Sequence, residues 1–163
     1  MKFEDMICKI AILTFSAIFL CQVSLIFVSD RLYSMSLALE AGKISTDKAL
    51  NYINTAVKLN PSNANLYFRK YEIVEIKLKS QKNDVREIYI NQINLLRHCI
   101  DLCPSWPAYH MYYALTLNKL RPAPNLITKE TILMELEKAS ELKPYSKLYL
   151  DIYDRYVLKD TTI

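Results

Sequence analysis

Glycine is almost absent from this chain: Gly42 is the only one in 163 residues, where about 7% would be ordinary. Strands joined by tight turns draw on glycine for backbone that other residues adopt poorly, so the expected fold class is all-α. The same scarcity removes whole classes of chemistry. A phosphate-cradling loop, a dinucleotide fingerprint and a Gly-x-Ser-x-Gly nucleophile turn all need more than one glycine. Histidine is scarce too, with two copies, and no nucleophile–base pair or pair of carboxylates stands at a recognisable spacing. Nor is the charge one-sided: 21 Lys and Arg face 17 Asp and Glu, for a net +4. The basic residues are scattered, with no stripe of basic and aromatic residues to track a nucleic acid. The chain is expected not to be an enzyme, to hold no cofactor and no metal, and to bind no nucleic acid.

Cysteine supports the same exclusions. Cys8 and Cys21 belong to an apolar N-terminal stretch, whereas Cys99 and Cys103 are four apart, just after His98. A redox or zinc reading would join Cys99, Cys103, His98 and His110. It lacks a second cysteine pair and the spacing of a zinc site, and a disulfide within one helical turn fits the required geometry badly. Cys99 is expected to pack as a small residue and Cys103 to end a helix.

What the chain does have is one spelling written three times: Thr55-Ala56-Val57-Lys58-Leu59-Asn60-Pro61, His98-Cys99-Ile100-Asp101-Leu102-Cys103-Pro104 and Lys138-Ala139-Ser140-Glu141-Leu142-Lys143-Pro144. Each has a small residue five before a proline and a leucine two before it. Proline lacks an amide hydrogen and drives its predecessor out of helical backbone, so a helix must end at each. Ser62, Ser105 and Ser146 are expected to cap the helices that follow, and Pro107 to sit in a first turn. Ala56, Cys99 and Ala139 would let a neighbouring helix approach, while Leu59, Leu102 and Leu142 would fill the space beneath the turns. Recurrence of this kind predicts stacked helical hairpins.

The run from Ala56 to Ala64 resembles the Ala-Leu-x-Leu-Asp/Asn-Pro-x-x-Ala junction of tetratricopeptide repeats. The second copy keeps Asp101, Leu102, Pro104 and, one place late, Ala108; the third keeps Ala139, Leu142 and Pro144. Ala49 fits the family's second small position, whereas Gln92 and Ile132 at the corresponding places do not. The prolines lie 43 and 40 residues apart, against about 34 in the family. The surplus is expected around Ser80–Asp84 and Arg121–Asn125, or in longer helices. The resemblance implies two full hairpins with a half-repeat at each end, over residues 45–160, and a non-catalytic role in protein–protein interaction.

From Ile10 to Val28 no residue is charged. Nineteen helical residues at about 1.5 Å each reach about 30 Å, the thickness of a bilayer core. A cleaved signal peptide has a shorter apolar region and a small-x-small site, so the expectation is a single-pass membrane anchor at 10–28, behind a cytoplasmic tail at 1–9. A helical stalk is expected at 29–44, with Gly42 as its C-cap, leading to a repeat helix that starts near Ser45-Thr46-Asp47. The basic residues flanking the span barely discriminate orientation. A short tail favours the cytoplasm, which puts the repeats outside, in the periplasm of a bacterial inner membrane.

Nine of the 12 tyrosines fall on or at the start of the three segments that follow a proline. Tyr67 and Tyr71, Tyr109 and Tyr113, and Tyr149 and Tyr153 are each four apart, on one face of their helices. In the resembling family such helices line the concave surface, so these six form a candidate partner-binding groove of apolar rings and hydroxyls. Asn63, Asn65, Arg69, His110 and Asn118 are polar companions. Packing between helices is the competing explanation for the same rings.

Pro104-Ser105-Trp106-Pro107-Ala108-Tyr109, with the anchor and the chain length, more loosely resembles small accessory proteins of bacterial exopolysaccharide biosynthesis clusters. The implied function is a membrane-anchored scaffold or adaptor in an envelope assembly, partnered by polysaccharide biosynthesis or export proteins. The alternative is a peptide- or glycan-binding adaptor of a secretion or pilus system.

Overall fold

A computed structural model describes residues 3–79, 85–120 and 129–158. Among these residues the chain is all α-helical, without a strand. The helices are α1 (Phe3–Ser36), α2 (Thr46–Leu59), α3 (Ala64–Lys79), α4 (Arg86–Leu102), α5 (Pro107–Lys119), α6 (Lys129–Leu142) and α7 (Lys147–Leu158). Two compact units divide between Pro61 and Ser62.

The first unit is a helical hairpin. Its first helix, α1, is long and apolar enough to cross a membrane, and every side chain from Ile10 to Val28 is exposed. Past that run the helix continues without a break, through residues expected to be stalk, and packs on α2. The contact is made by small residues. Ser29 and Ser36 on α1, seven apart, are buried, as are Ala49 and Ala56 on α2, also seven apart. The Ser29 hydroxyl donates to the Ala56 carbonyl at 3.2 Å. After a short 3-10 turn (Leu37–Leu39) the chain reverses through Gly42, whose φ of +67° is left-handed backbone that glycine adopts without a Cβ clash. The Gly42 amide donates to Leu39 and the Lys43 amide to Ala38, the paired bonds of a Schellman helix end. Ser45 then caps α2 by accepting from the Lys48 amide at 3.3 Å. Both expectations for this turn hold.

The second unit runs from α3 to α7. Tyr71, Leu96, Met111, Tyr113, Leu117, Ile132 and Leu136 belong to one core. The repeated spelling has a common packing register in both units. Ala49, Ile53 and Ala56 on α2, Gln92, Leu96 and Cys99 on α4, and Ile132, Leu136 and Ala139 on α6 are all buried. Gln92 and Ile132, which depart from the family pattern, thus occupy the same place as Ala49. With 16 and 17 residues, α3 and α4 nearly fill a repeat of about 34 by themselves, so longer helices take up part of the surplus. The segments around Ser80–Asp84 and Arg121–Asn125, where the rest was expected, lie outside the described residues.

Two local expectations need correction. Ser62 and Ser105 do not cap the next helices. The chain needs one more residue to turn after each proline, so Asn63 and Trp106 stand before α3 and α5. Asn63 Oδ1 accepts from the Asn65 amide at 3.0 Å, and Pro107 occupies the first turn as expected. Ser146 does stand at the cap position, its carbonyl accepting from Tyr149 and Leu150. Leu102 and Leu142 do not fill the space beneath their turns. They lie on the surface, each 37% exposed.

Candidate functional site

The six candidate tyrosines divide by burial. Tyr71, Tyr109 and Tyr113 are buried, and Tyr109 is only 2% exposed; Tyr67, Tyr149 and Tyr153 are half-buried. Their directions divide as well. Tyr67 meets the His98 ring of α4 edge-on, with centroids 4.3 Å apart. Tyr113 accepts a hydrogen bond from Arg97, also on α4, at 3.1 Å. Tyr149 and Tyr153 pack onto the core from α7.

Tyr71 and Tyr109 do come together, through a ring that the tyrosine pattern misses. Phe68 stacks on Tyr71 at 5.7 Å and lies 5.2 Å from Tyr109 and 5.4 Å from Tyr112; Tyr71 and Tyr112 are 5.7 Å apart. The aromatic contact between α3 and α5 is therefore built from residues three apart, Phe68 with Tyr71 and Tyr109 with Tyr112. Spacings of three and four both share a helix face, and counting phenylalanine beside tyrosine would have found it. Tyr149 on α7 has its phenol pushed up by burial. Phe68, Tyr112 and Tyr149 are each half-buried and pack against the same core from α3, α5 and α7.

Polar groups hold these packed rings. The Tyr109 hydroxyl donates to Asn65 Oδ1 at 3.0 Å. Tyr71, hydrogen-bonded to Thr116, has its phenol pushed up to about 12, mainly by burial. Glu75 accepts from Gln92 of α4 at 2.9 Å and from Lys119 of α5 at 2.7 Å, tying three helices. Burial raises the Glu75 pKa, but the bonds from Lys119 and Gln92 outweigh it and leave the group below its ordinary value.

Two polar companions are structural. Arg69 is buried and pairs with Glu72 at 3.0 Å. His110, also buried, has Nδ1 2.7 Å from Glu135 of α6 and Nε2 2.8 Å from the Pro104 carbonyl. A carbonyl only accepts, so Nε2 carries a proton, and a Glu135 carboxylate draws a second onto Nδ1. The Glu135 bond raises the His110 pKa against the opposing effect of burial.

Cys99 fills the small position expected of it. It is buried, Sγ lies 3.5 Å from the Ala64 carbonyl, and burial pushes its thiol up to about 12. That is an inert packing thiol rather than a nucleophile. Among the described residues no cluster of His, Cys, Asp and Glu could hold a metal ion.

No protein-family model and no curated protein sequence matches this chain. Solved structures do. The tetratricopeptide domain of Arabidopsis OM64 is 16% identical, with a TM-score of 0.64 over 83% of this chain and 98% of that one. The first tetratricopeptide domain of Spaghetti (RPAP3), bound to the HSP90 peptide SRMEEVD, is 13% identical, with a TM-score of 0.65 over 84% and 96%. SycD, the type III secretion translocator chaperone of Yersinia enterocolitica, is 13% identical, with a TM-score of 0.56 over 83% and 89%. At such identities the likeness is one of fold, and the fold is that of tetratricopeptide-like helical repeats.

Proposed function

We propose that this protein is a non-catalytic scaffold or adaptor, held to a membrane by residues 10–28, that binds a segment of another protein on the aromatic face of α3, α5 and α7. The observation that carries the reading is the ring series Phe68, Tyr112 and Tyr149. These rings are half-buried: Phe68 rests on Tyr71 and Tyr109, Tyr112 rests on Tyr71, and Tyr149 packs against the same core from α7, so they are preorganised. Rigid aromatic rings with a polar edge are favoured anchors for a partner because little side-chain entropy remains to be lost. Two of the similar solved structures are described as bound to a peptide or as a secretion chaperone, which supports a protein client.

The finer reading is an envelope assembly for polysaccharide biosynthesis or export, with a cytoplasmic tail at 1–9, a stalk at 29–44 and periplasmic repeats at 45–160. Its support is the Pro104-Ser105-Trp106-Pro107 turn together with the apolar run of α1. A secretion or pilus adaptor is the second reading, favoured by the likeness to SycD. A photo-crosslinking residue at position 112, followed by purification from detergent-solubilised membranes, tests all of this. A glycosyltransferase or polymerase adduct supports the first reading and a secretion subunit the second. A glycan adduct would replace the protein client, and the absence of any adduct would remove the face from the binding role.

A further inference from the structure

Within the first unit, α1 carries one seam along most of its length. Phe15, Ile18, Gln22 and Leu25, then Ser29, Leu32 and Ser36, alternate at spacings of three and four, which places them along one side of the helix. Helix α2 covers the second half of that seam: Ser29 and Ser36 are buried and Leu32 is half-buried. The Ser29 hydroxyl meets the Ala56 carbonyl, and α2 runs antiparallel to α1 after the turn at Gly42. Its last residue, Leu59, therefore stands level with about residue 26 of α1. Beyond that level the cover stops. Phe15, Ile18, Gln22 and Leu25 are all exposed.

Gln22 makes the uncovered half more than an apolar stripe. Two other polar residues of the run satisfy their hydroxyls on the helix itself: Thr14 donates to the Ile10 and Ala11 carbonyls, and Ser24 to that of Leu20. Gln22 makes no such bond among the described residues. It stands six residues before Val28, about 9 Å inside the apolar run. That is too deep for so short a side chain to reach the headgroups as lysine and arginine do. In hydrocarbon its two N–H donors and its carbonyl have no water. A neighbouring helix that supplies a polar partner is therefore favoured.

The covered half of the seam also selects the occupant. A second copy would stand at the same depth, but its own α1 continues unbroken to Ser36, into the space that α2 fills beside Ser29 and Ser36. A transmembrane helix that ends at the headgroups stops short of that obstruction. We propose that Phe15, Ile18, Gln22 and Leu25 form a docking seam for a transmembrane helix of another protein, one that presents a hydrogen-bonding side chain at the depth of Gln22. The inference rests on the anchor reading. A single polar residue in an otherwise apolar seam sets both the register and the choice of partner.

The full-length protein, with a photo-crosslinking residue in place of Ile18, is reconstituted into phosphatidylcholine vesicles together with one of two synthetic helices. Both are leucine helices flanked by lysines, and one carries a single asparagine at the depth of Gln22. Retention through an alkaline wash tests the anchor alone. With the anchor retained, the helix with asparagine is expected to give an adduct of the summed mass, and the all-leucine helix about fivefold less. Gln22→Leu should erase that difference without changing the melting temperature, because Gln22 is exposed. The crosslinker at Leu20, on the opposite side of α1, should give little of either adduct. Equal adducts from the two helices, or equal yields from positions 18 and 20, overturn the inference and leave the anchor standing. An adduct between two copies of the protein assigns the seam to self-association, and also overturns it. Protein that washes off overturns both readings.

Discussion

The hairpin of the first unit and those of the second share one packing register and fill it differently. In the first, Ala49 and Ala56 face the small Ser29 and Ser36, so the helices meet nearly backbone to backbone and the Ser29 hydroxyl reaches the Ala56 carbonyl. In the second, the same positions hold Gln92 with Cys99 and Ile132 with Ala139, and the space around them is filled by tyrosines, Phe68 and paired polar groups. The small-residue hairpin belongs to a helix whose other end is apolar and exposed. The aromatic hairpins leave Phe68, Tyr112 and Tyr149 half-buried. One repeat spelling thus supports two tasks: close packing onto a long apolar helix, and construction of a stiff surface. The register sets which positions are buried, and the residues that fill them set what the surface can do.

The harshest test of that division is to remove the apolar run. Deleting residues 10–28 should abolish retention in membranes through alkaline and high-salt washes, an all-or-none change read by fractionation. Release of the intact protein by either wash would mean that the first unit is not an anchor.

Next is the buried pair of the second unit. His110→Ala leaves the Glu135 side chain and the Pro104 carbonyl without their shared donor, at a cost of roughly 3 kcal/mol. Melting of the detergent-solubilised full chain measures it. The sign of the pH dependence follows from the raised His110 pKa, with Glu135 and the Pro104 carbonyl favouring the proton and Lys138 opposing it. The stabilisation is complete below the ordinary histidine value of 6.5 and is lost as pH rises through the higher folded value. His110→Gln should flatten that alkaline limb. Glu75 acts at the other end: its pKa is lowered, so its contribution is present above 4.5 and is lost as pH falls through the folded value. A wild-type limb unchanged by His110→Gln would remove the histidine from this role.

The small-residue contact should respond to bulk. Ala56→Leu is expected to destabilise by about 2 kcal/mol, since overpacking forces the helices apart. Ala139→Leu provides the comparison in the second unit, and Leu102→Ala, at an exposed position, the control. Equal tolerance at position 56 and at the surface control would undo the claim of close contact in the first unit.

Much of this architecture was legible from a few residues. Proline, the leucine before it and the small residue five before it located the ends of α2, α4 and α6 because proline terminates a helix by chemistry that needs no tertiary context. Gly42 was readable for the same reason. The pairing of α1 with α2 was not anticipated. Ser29 and Ser36 carry no apolar signal, and their burial depends on the alanines they meet. The aromatic face was half legible: spacing placed Tyr71 and Tyr109 on faces of their own helices, but which neighbour each face meets is set by packing between helices. That is why Tyr67 and Tyr113 turn to α4, while Phe68 and Tyr112 make the contact between α3 and α5.

The smallest expected effect separates the framework of that face from its accessible rings. Tyr109→Phe keeps the buried ring but removes the hydroxyl that donates to Asn65 at 3.0 Å, so a loss of about 1 kcal/mol is expected. Tyr112→Phe keeps a half-exposed ring and should leave the melting temperature unchanged. Client capture should invert the order. Tyr112→Ala, at a ring the client can reach, should weaken binding by about 2 kcal/mol if it is a hot spot, with a modest effect on melting. Tyr109→Phe should leave binding nearly intact, because the Tyr109 ring stays in place beside Phe68 and Trp106. If Tyr112→Ala instead lowers stability as much as binding, Tyr112 is core like Tyr109, and the distinction between support and contact collapses. If capture survives every change at Phe68, Tyr112 and Tyr149, the client binds elsewhere and the aromatic face serves packing alone.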